Sequence, residues 1–162
     1  MEKSEMNIVA RHMAKAPVDF PAMFADLGVG FEKTAMDGAS GSITRNGDRF
    51  TICVNSLESD TRQRFTAAHE LAHYLLHRDL MGDGNRMHRH VDNLYGGEQS
   101  GDLMFNRAHE IEANRIAAQI VMPRQLLEAK FAETQDIAAL AGQFGVSKPA
   151  MEIRLKTLGL IR

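Results

Sequence analysis

The chain has 162 residues, 44% of them hydrophobic and 25% charged, with a formal net charge of −2. These are the proportions of one ordinary globular domain, which excludes a disordered, collagen-like or low-complexity chain and gives no global reason to expect a nucleic-acid or anionic-membrane binder. The one cysteine, Cys53, excludes an intrachain disulfide framework.

In chain order, residues Glu5 to Ala14 read as a weak helix. Pro17-Val18-Asp19 opens a second helix, with Phe20, Met23, Phe24 and Leu27 at helical spacing and Gly28 and Gly30 as stop signals. Residues 42–45 and 48–54 are β-prone runs flanking Asn46-Gly47, a hairpin signal because both turn residues tolerate positive φ. Phe50, Ile52 and Val54 alternate with Thr51 and Cys53, so one strand face is expected to be buried and Cys53 to be a small strand residue. Ser59 or Asp60 can cap a helix running to about His77. Residues 79–101, rich in glycine and polar side chains, read as a long loop that could overhang a cleft as a lid. A second long helix is expected from Asp102 to Val121, ended by Met122-Pro123. Helical pieces over 124–131, 135–142 and 147–158 complete the chain, with Ser147 as an N-cap.

The seven histidines are not scattered, and His69-Glu70-Leu71-Ala72-His73 is an HExxH motif inside a predicted helix. Residues four apart lie about 6 Å apart along a helix and on one face. Two imidazoles so placed can converge on one tetrahedral zinc ion. Glu70 then projects beside them and can take a proton from a water whose pKa the metal lowers towards about 7. Two histidines buried on an apolar helix without a ligand would each still need a hydrogen-bond partner, which makes a purely structural role costly.

A catalytic zinc needs a third protein ligand and an open position. His77, His88, His90, Asp92, His109, Glu110 and Glu112 are the candidates, although His77 lies a further turn away and is not expected to reach the same ion. Glu110 and Asn114 share a face of the second long helix, so Glu110 can ligate while Asn114 hydrogen-bonds a ligand. Glu112 points about 200° away from Glu110 and is the alternative third ligand. Tyr95, His88, His90 and His109 are possible donors to a developing oxyanion.

The segments Arg64-Phe65-Thr66-Ala67-Ala68-His69-Glu70-Leu71-Ala72-His73-Tyr74-Leu75-Leu76-His77 and Glu110-Ile111-Glu112-Ala113-Asn114-Arg115-Ile116-Ala117-Ala118, with Val121-Met122-Pro123, resemble the ImmA/IrrE family of zinc metallopeptidases. Phe144-Gly145-Val146-Ser147 and the stretch from Ala150 to Ile161 are similar to that family too, so the likeness covers about residues 40–162. Ile116 stands where the family more often shows Phe, an apolar-for-apolar change. The resemblance implies an endopeptidase that cleaves helix-turn-helix repressors of the XRE type in stress responses or mobile-element induction. It places the third ligand, within an E-x-x-A-[N/D] pattern, on Glu110, so that one Zn²⁺ would be held by His69, His73 and Glu110 with Glu70 as the catalytic base.

The fold expected is α+β: a small antiparallel sheet packed against helices, a zincin-like HExxH helix and C-terminal helices like a helix-turn-helix. One metallopeptidase domain spans 1–162, with N-terminal helices over 1–38, the sheet and metal-site helices over 39–123 and the helical part over 124–162. The strand 49–54 could accept an extended substrate segment by β-augmentation if it lies at the sheet edge. Lys148, Arg154, Lys156 and Arg162 against Glu152 give the last helix only modest basicity, so packing or repressor docking is expected there and direct DNA binding is not. A non-catalytic metal-keeping module or a DNA-binding regulator is the alternative reading. The N-terminus has no signal-peptide core and no apolar run suffices for a transmembrane helix, so a soluble cytoplasmic protein without membrane association is expected.

Overall fold

The structure, a computed structural model, describes residues 1–82, 84, 86–89 and 105–162. Two helices lead into the sheet. In α1 (Lys3–Met13) only Glu5 and Val9 are buried, whereas α2 (Phe20–Leu27) buries Phe20, Met23 and Phe24. Asp19 caps α2 by accepting from the Ala22 amide at 3.0 Å, and Gly28 ends it in the left-handed conformation.

Four strands follow: β1 (Gly30–Thr34), β2 (Gly41–Asn46), β3 (Arg49–Asn55) and β4 (Arg86–Arg89). Their order across the sheet is β1-β3-β2-β4. The class is α+β as expected, but the sheet is mixed rather than wholly antiparallel, because β1 pairs parallel to β3 while β2 is antiparallel to both β3 and β4. Residues 86–89, read as loop from their polar composition, are the outer strand β4. β3 lies between β1 and β2, with its main chain paired on both sides. β-augmentation on strand 49–54 is therefore ruled out; alternation of apolar residues reports a buried face but says nothing about which strand is at the edge.

The hairpin forms one residue later than its sequence signal. Asn46 pairs with Arg49, which leaves Gly47 and Asp48 as the turn. Gly47 has φ 62°, and no non-glycine among the described residues has positive φ. That is the glycine-first pattern of a type II′ turn rather than the Asn-Gly pattern of type I′.

α3 (Asp60–His77) is capped by Ser59, whose Oγ accepts from the Arg62 amide at 3.3 Å, and it lies across β2 and β3. A 3-10 turn, Arg78–Leu80, follows it. α4 (Arg107–Val121) packs along α3 and encloses it from the other side. Thirteen of the eighteen residues of α3 are consequently buried, His69, Glu70 and His73 among them. Ile43, Ile52 and Val54 from the sheet and Leu71 from α3 are completely inaccessible and form the floor under the HExxH turn.

α5 (Arg124–Glu133), α6 (Ile137–Phe144) and α7 (Lys148–Thr157) form the C-terminal part, close to the expected pieces. Ser147 caps α7 by accepting from the Ala150 amide at 3.2 Å. Arg154 of α7 is buried and donates to the Met122 carbonyl at 3.0 Å, so this cation fastens α7 to the end of α4. Among the described residues no helix is long and apolar enough to cross a membrane.

Candidate metal centre

Helical spacing puts His69 and His73 on one face of α3, and tertiary packing aims that face at the first turn of α4. The two Nε2 atoms are 3.2 Å apart. Glu110 Oε2 stands 3.0 Å from Nε2 of His69 and 3.3 Å from Nε2 of His73. The three residues form a group able to hold a metal ion, with both imidazoles buried and the carboxylate partly accessible. The spacing itself supports this. Ligands at about 2.0–2.1 Å from a tetrahedral ion are separated from one another by about 3.3 Å. Two ring nitrogens and a carboxylate oxygen this close cannot all face one another as lone pairs; a shared cation or shared protons must lie between them.

The local sequence explains why Glu110 is the acid delivered. Asn106 caps α4 by accepting from the His109 amide at 2.9 Å, and His109 Nδ1 accepts from the Asn106 amide at 3.0 Å. This is a capping box with histidine in the place usually held by Glu or Gln. Glu110 follows directly, in the first turn, where the helix dipole favours a negative charge. The helix starts at Arg107 and not at Asp102, which lies outside the described residues.

Glu70 is completely inaccessible, next to His69 and above the start of β2. A Cβ placed on Gly41 would sit 3.8 Å from Cγ of Glu70 and would overlap Cγ2 of Thr66. The missing side chain at Gly41 is what lets this turn of α3 settle onto the strand.

The other candidates separate. Glu112 is not in the ligand group; its Oε1 is 2.7 Å from Nε2 of His77 instead. His77 cannot serve the same ion, because its Nδ1 is in turn 2.9 Å from Nδ1 of His73. Burial pushes the His77 imidazole below its usual 6.5, against the opposing pull of the Glu112 hydrogen bond. Asn114 is buried one turn beyond Glu110 and lines a groove of about 450 Å³ between α4 and α7. His109 serves the helix cap, with its ring 4.7 Å from that of His77. His88 lies on β4 opposite Ser42, whereas His90, Asp92 and Tyr95 lie outside the described residues, as does most of the expected lid.

Sequence reasoning missed Phe105. Its ring stacks on His73 at 4.2 Å with an interplanar angle of 5°, and it is fully buried. The usable signal was Asn106-x-x-His109 immediately after it, a cap-and-return pair that places Phe105 just outside the helix.

Compared with models of protein families, residues 26–156 match the IrrE N-terminal-like domain, a peptidase family. No curated protein matches the chain closely enough to count as a relative.

Proposed function

From the premise that the chain belongs to the peptidase family of the IrrE N-terminal-like domain, we propose that it is a zinc-dependent endopeptidase acting in the cytoplasm on an XRE-type helix-turn-helix repressor. Cutting that repressor would release stress-response or mobile-element genes. The observation that carries the enzymatic part is the convergence of His69, His73 and Glu110 within 3.3 Å beside the sealed Glu70. Two neutral imidazoles and one carboxylate suit zinc and leave a fourth position open, the pattern of a catalytic rather than a structural site.

Zinc held by His69, His73 and Glu110 would supply Lewis acidity at the scissile carbonyl and lower the pKa of a water molecule. Glu70 carries the proton traffic in this reading. It takes a proton from the attacking water as the new C–O bond forms, and returns it to the amide nitrogen as the C–N bond breaks. Its burial keeps bulk water from competing for that proton. The carboxylate of Glu110, in the first turn of α4 and within 3.3 Å of both ring nitrogens, would serve as ligand.

The test uses the purified protein with zinc and XRE-type repressors from the same genome, with fragments identified by mass spectrometry. Glu70→Gln is expected to lower the cleavage rate by about 10²–10⁴-fold, the usual worth of a general base, while retaining the metal. Cleavage by Glu70→Gln at the rate of the unaltered protein would rule the enzyme reading out. A sequence-selective, salt-steep DNA shift without cleavage would favour a non-catalytic regulator instead.

A further inference from the structure

We propose that His77 and Glu112 are a positioning pair for the metal centre: through two hydrogen bonds in series they fix the tautomer of His73, so that its Nε2 lone pair faces the point where His69 and Glu110 meet. The inference rests on the metal-site reading given above and assigns a task to two residues outside the ligand set.

With both imidazoles neutral, the proton count along the series has one solution. A carboxylate only accepts, so the 2.7 Å contact between Glu112 Oε1 and His77 Nε2 places the hydrogen of neutral His77 on Nε2. His77 Nδ1 is then a lone pair. The 2.9 Å contact between His77 Nδ1 and His73 Nδ1 must therefore be donated by His73. Neutral His73 has no second hydrogen to place, so its Nε2 is a bare lone pair, 3.2 Å from Nε2 of His69 and 3.3 Å from Glu110. Were the terminal acceptor a donor instead, every proton in the series would move by one place and Nε2 of His73 would carry a hydrogen pointed at the metal position.

The ring plane is fixed by packing as well. Phe105 stacks parallel to His73, and the His77 ring meets His73 with centroids 5.1 Å apart. Rotation of the His73 ring would break the stack and the Nδ1 hydrogen bond together. The carboxylate also makes the imidazole at the metal a better electron donor, the effect seen where a ligating histidine gives its other hydrogen to an acceptor. Here the acceptor is reached through a second histidine one helical turn on, using the same i, i+4 spacing that built the HExxH pair.

The experiment measures zinc binding by the full-length, metal-free protein in competition with a chromophoric chelator, without reference to peptidase activity. His77→Phe keeps ring packing and removes the acceptor; Glu112→Ala truncates a half-exposed side chain. Each is expected to weaken zinc binding by about 10–100-fold. Because Glu112 acts only through His77, the double variant should bind no more weakly than His77→Phe alone. Cobalt-loaded variants should also show altered d–d absorption. Unchanged zinc affinity in Glu112→Ala, or a double-variant loss equal to the product of the two singles, would overturn the proposal. If the unaltered protein takes up no zinc, the metal reading falls and this pair falls with it; zinc uptake without peptidase activity would leave the pair standing and sink the peptidase reading alone.

Discussion

At Gly41 a hydrogen stands where any other residue would carry a Cβ, and that Cβ would overlap Cγ2 of Thr66 and lie 3.0 Å from the Cys53 carbonyl oxygen. Thr66 is completely buried and cannot swing into solvent. Gly41→Ala must therefore lift α3 from β2 or bend the strand. Overpacking of this kind costs about 1–3 kcal/mol, to be read from denaturant unfolding. Because Cγ of Glu70 is only 3.8 Å from the same point, the cleavage rate should fall by more than the loss of folded protein explains. Thr66→Ser deletes the overlapped methyl, so the double variant should recover most of the lost stability. No recovery would mean that the clash is with the neighbouring strand and that the HExxH turn is not seated by this contact.

The helices of the site differ in how far they could be read from sequence. α3 was legible almost to the residue, because a strong N-cap, continuous 3.6 periodicity and the HExxH spacing agree. α4 was not, since Asp102 is as good a cap by composition as Asn106; the decision is made by Phe105, which leaves the helix to stack on His73, a contact no local rule contains. β1 escaped notice for a related reason. Glu32, Lys33 and Thr34 are exposed, so the strand shows no alternation and exists through its parallel pairing with β3. That His69 and His73 share a face follows from their spacing in α3, whereas the carboxylate of α4 that stands opposite them, Glu110, and the His77–Glu112 contact both depend on how two helices pack.

The capping box of α4 makes a prediction at the same scale. Asn106→Ala removes a cap worth about 1 kcal/mol. Fraying there also frees Glu110, four residues on, so zinc affinity should drop several-fold along with stability. Ser147→Ala removes an equivalent cap from α7, away from His69, His73 and Glu110. It should cost similar stability and leave zinc affinity unchanged. Equal zinc affinity in the two variants would show that the first turn of α4 holds Glu110 without help from its cap.

Across the whole molecule, the N-terminal helix is tied to the far end of α3 by an ion pair. Arg78 donates from both terminal nitrogens to the Glu5 carboxylate, at 2.8 and 2.9 Å, and its guanidinium lies 4.5 Å over the Tyr74 ring. The Glu2 amide adds a third bond to Glu5, at 2.9 Å. Burial alone would raise the Glu5 pKa, but the Arg78 hydrogen bonds and charge and the Glu2 amide outweigh it and hold the group below its usual 4.5. The sign follows from linkage: below 4.5 the unfolded chain takes up a proton that folded Glu5 refuses, so acidification favours unfolding. The contribution is complete above that pH and disappears as pH falls through the depressed value. Glu5→Gln mimics the protonated group at every pH. The stability gap between the two proteins, measured by urea unfolding, should be widest at neutral pH, shrink below pH 4.5 and close in stronger acid. Every other group is common to both proteins and cancels in the difference. A gap of the same size at neutral and strongly acid pH would mean that Glu5 holds α1 in place by packing rather than by charge.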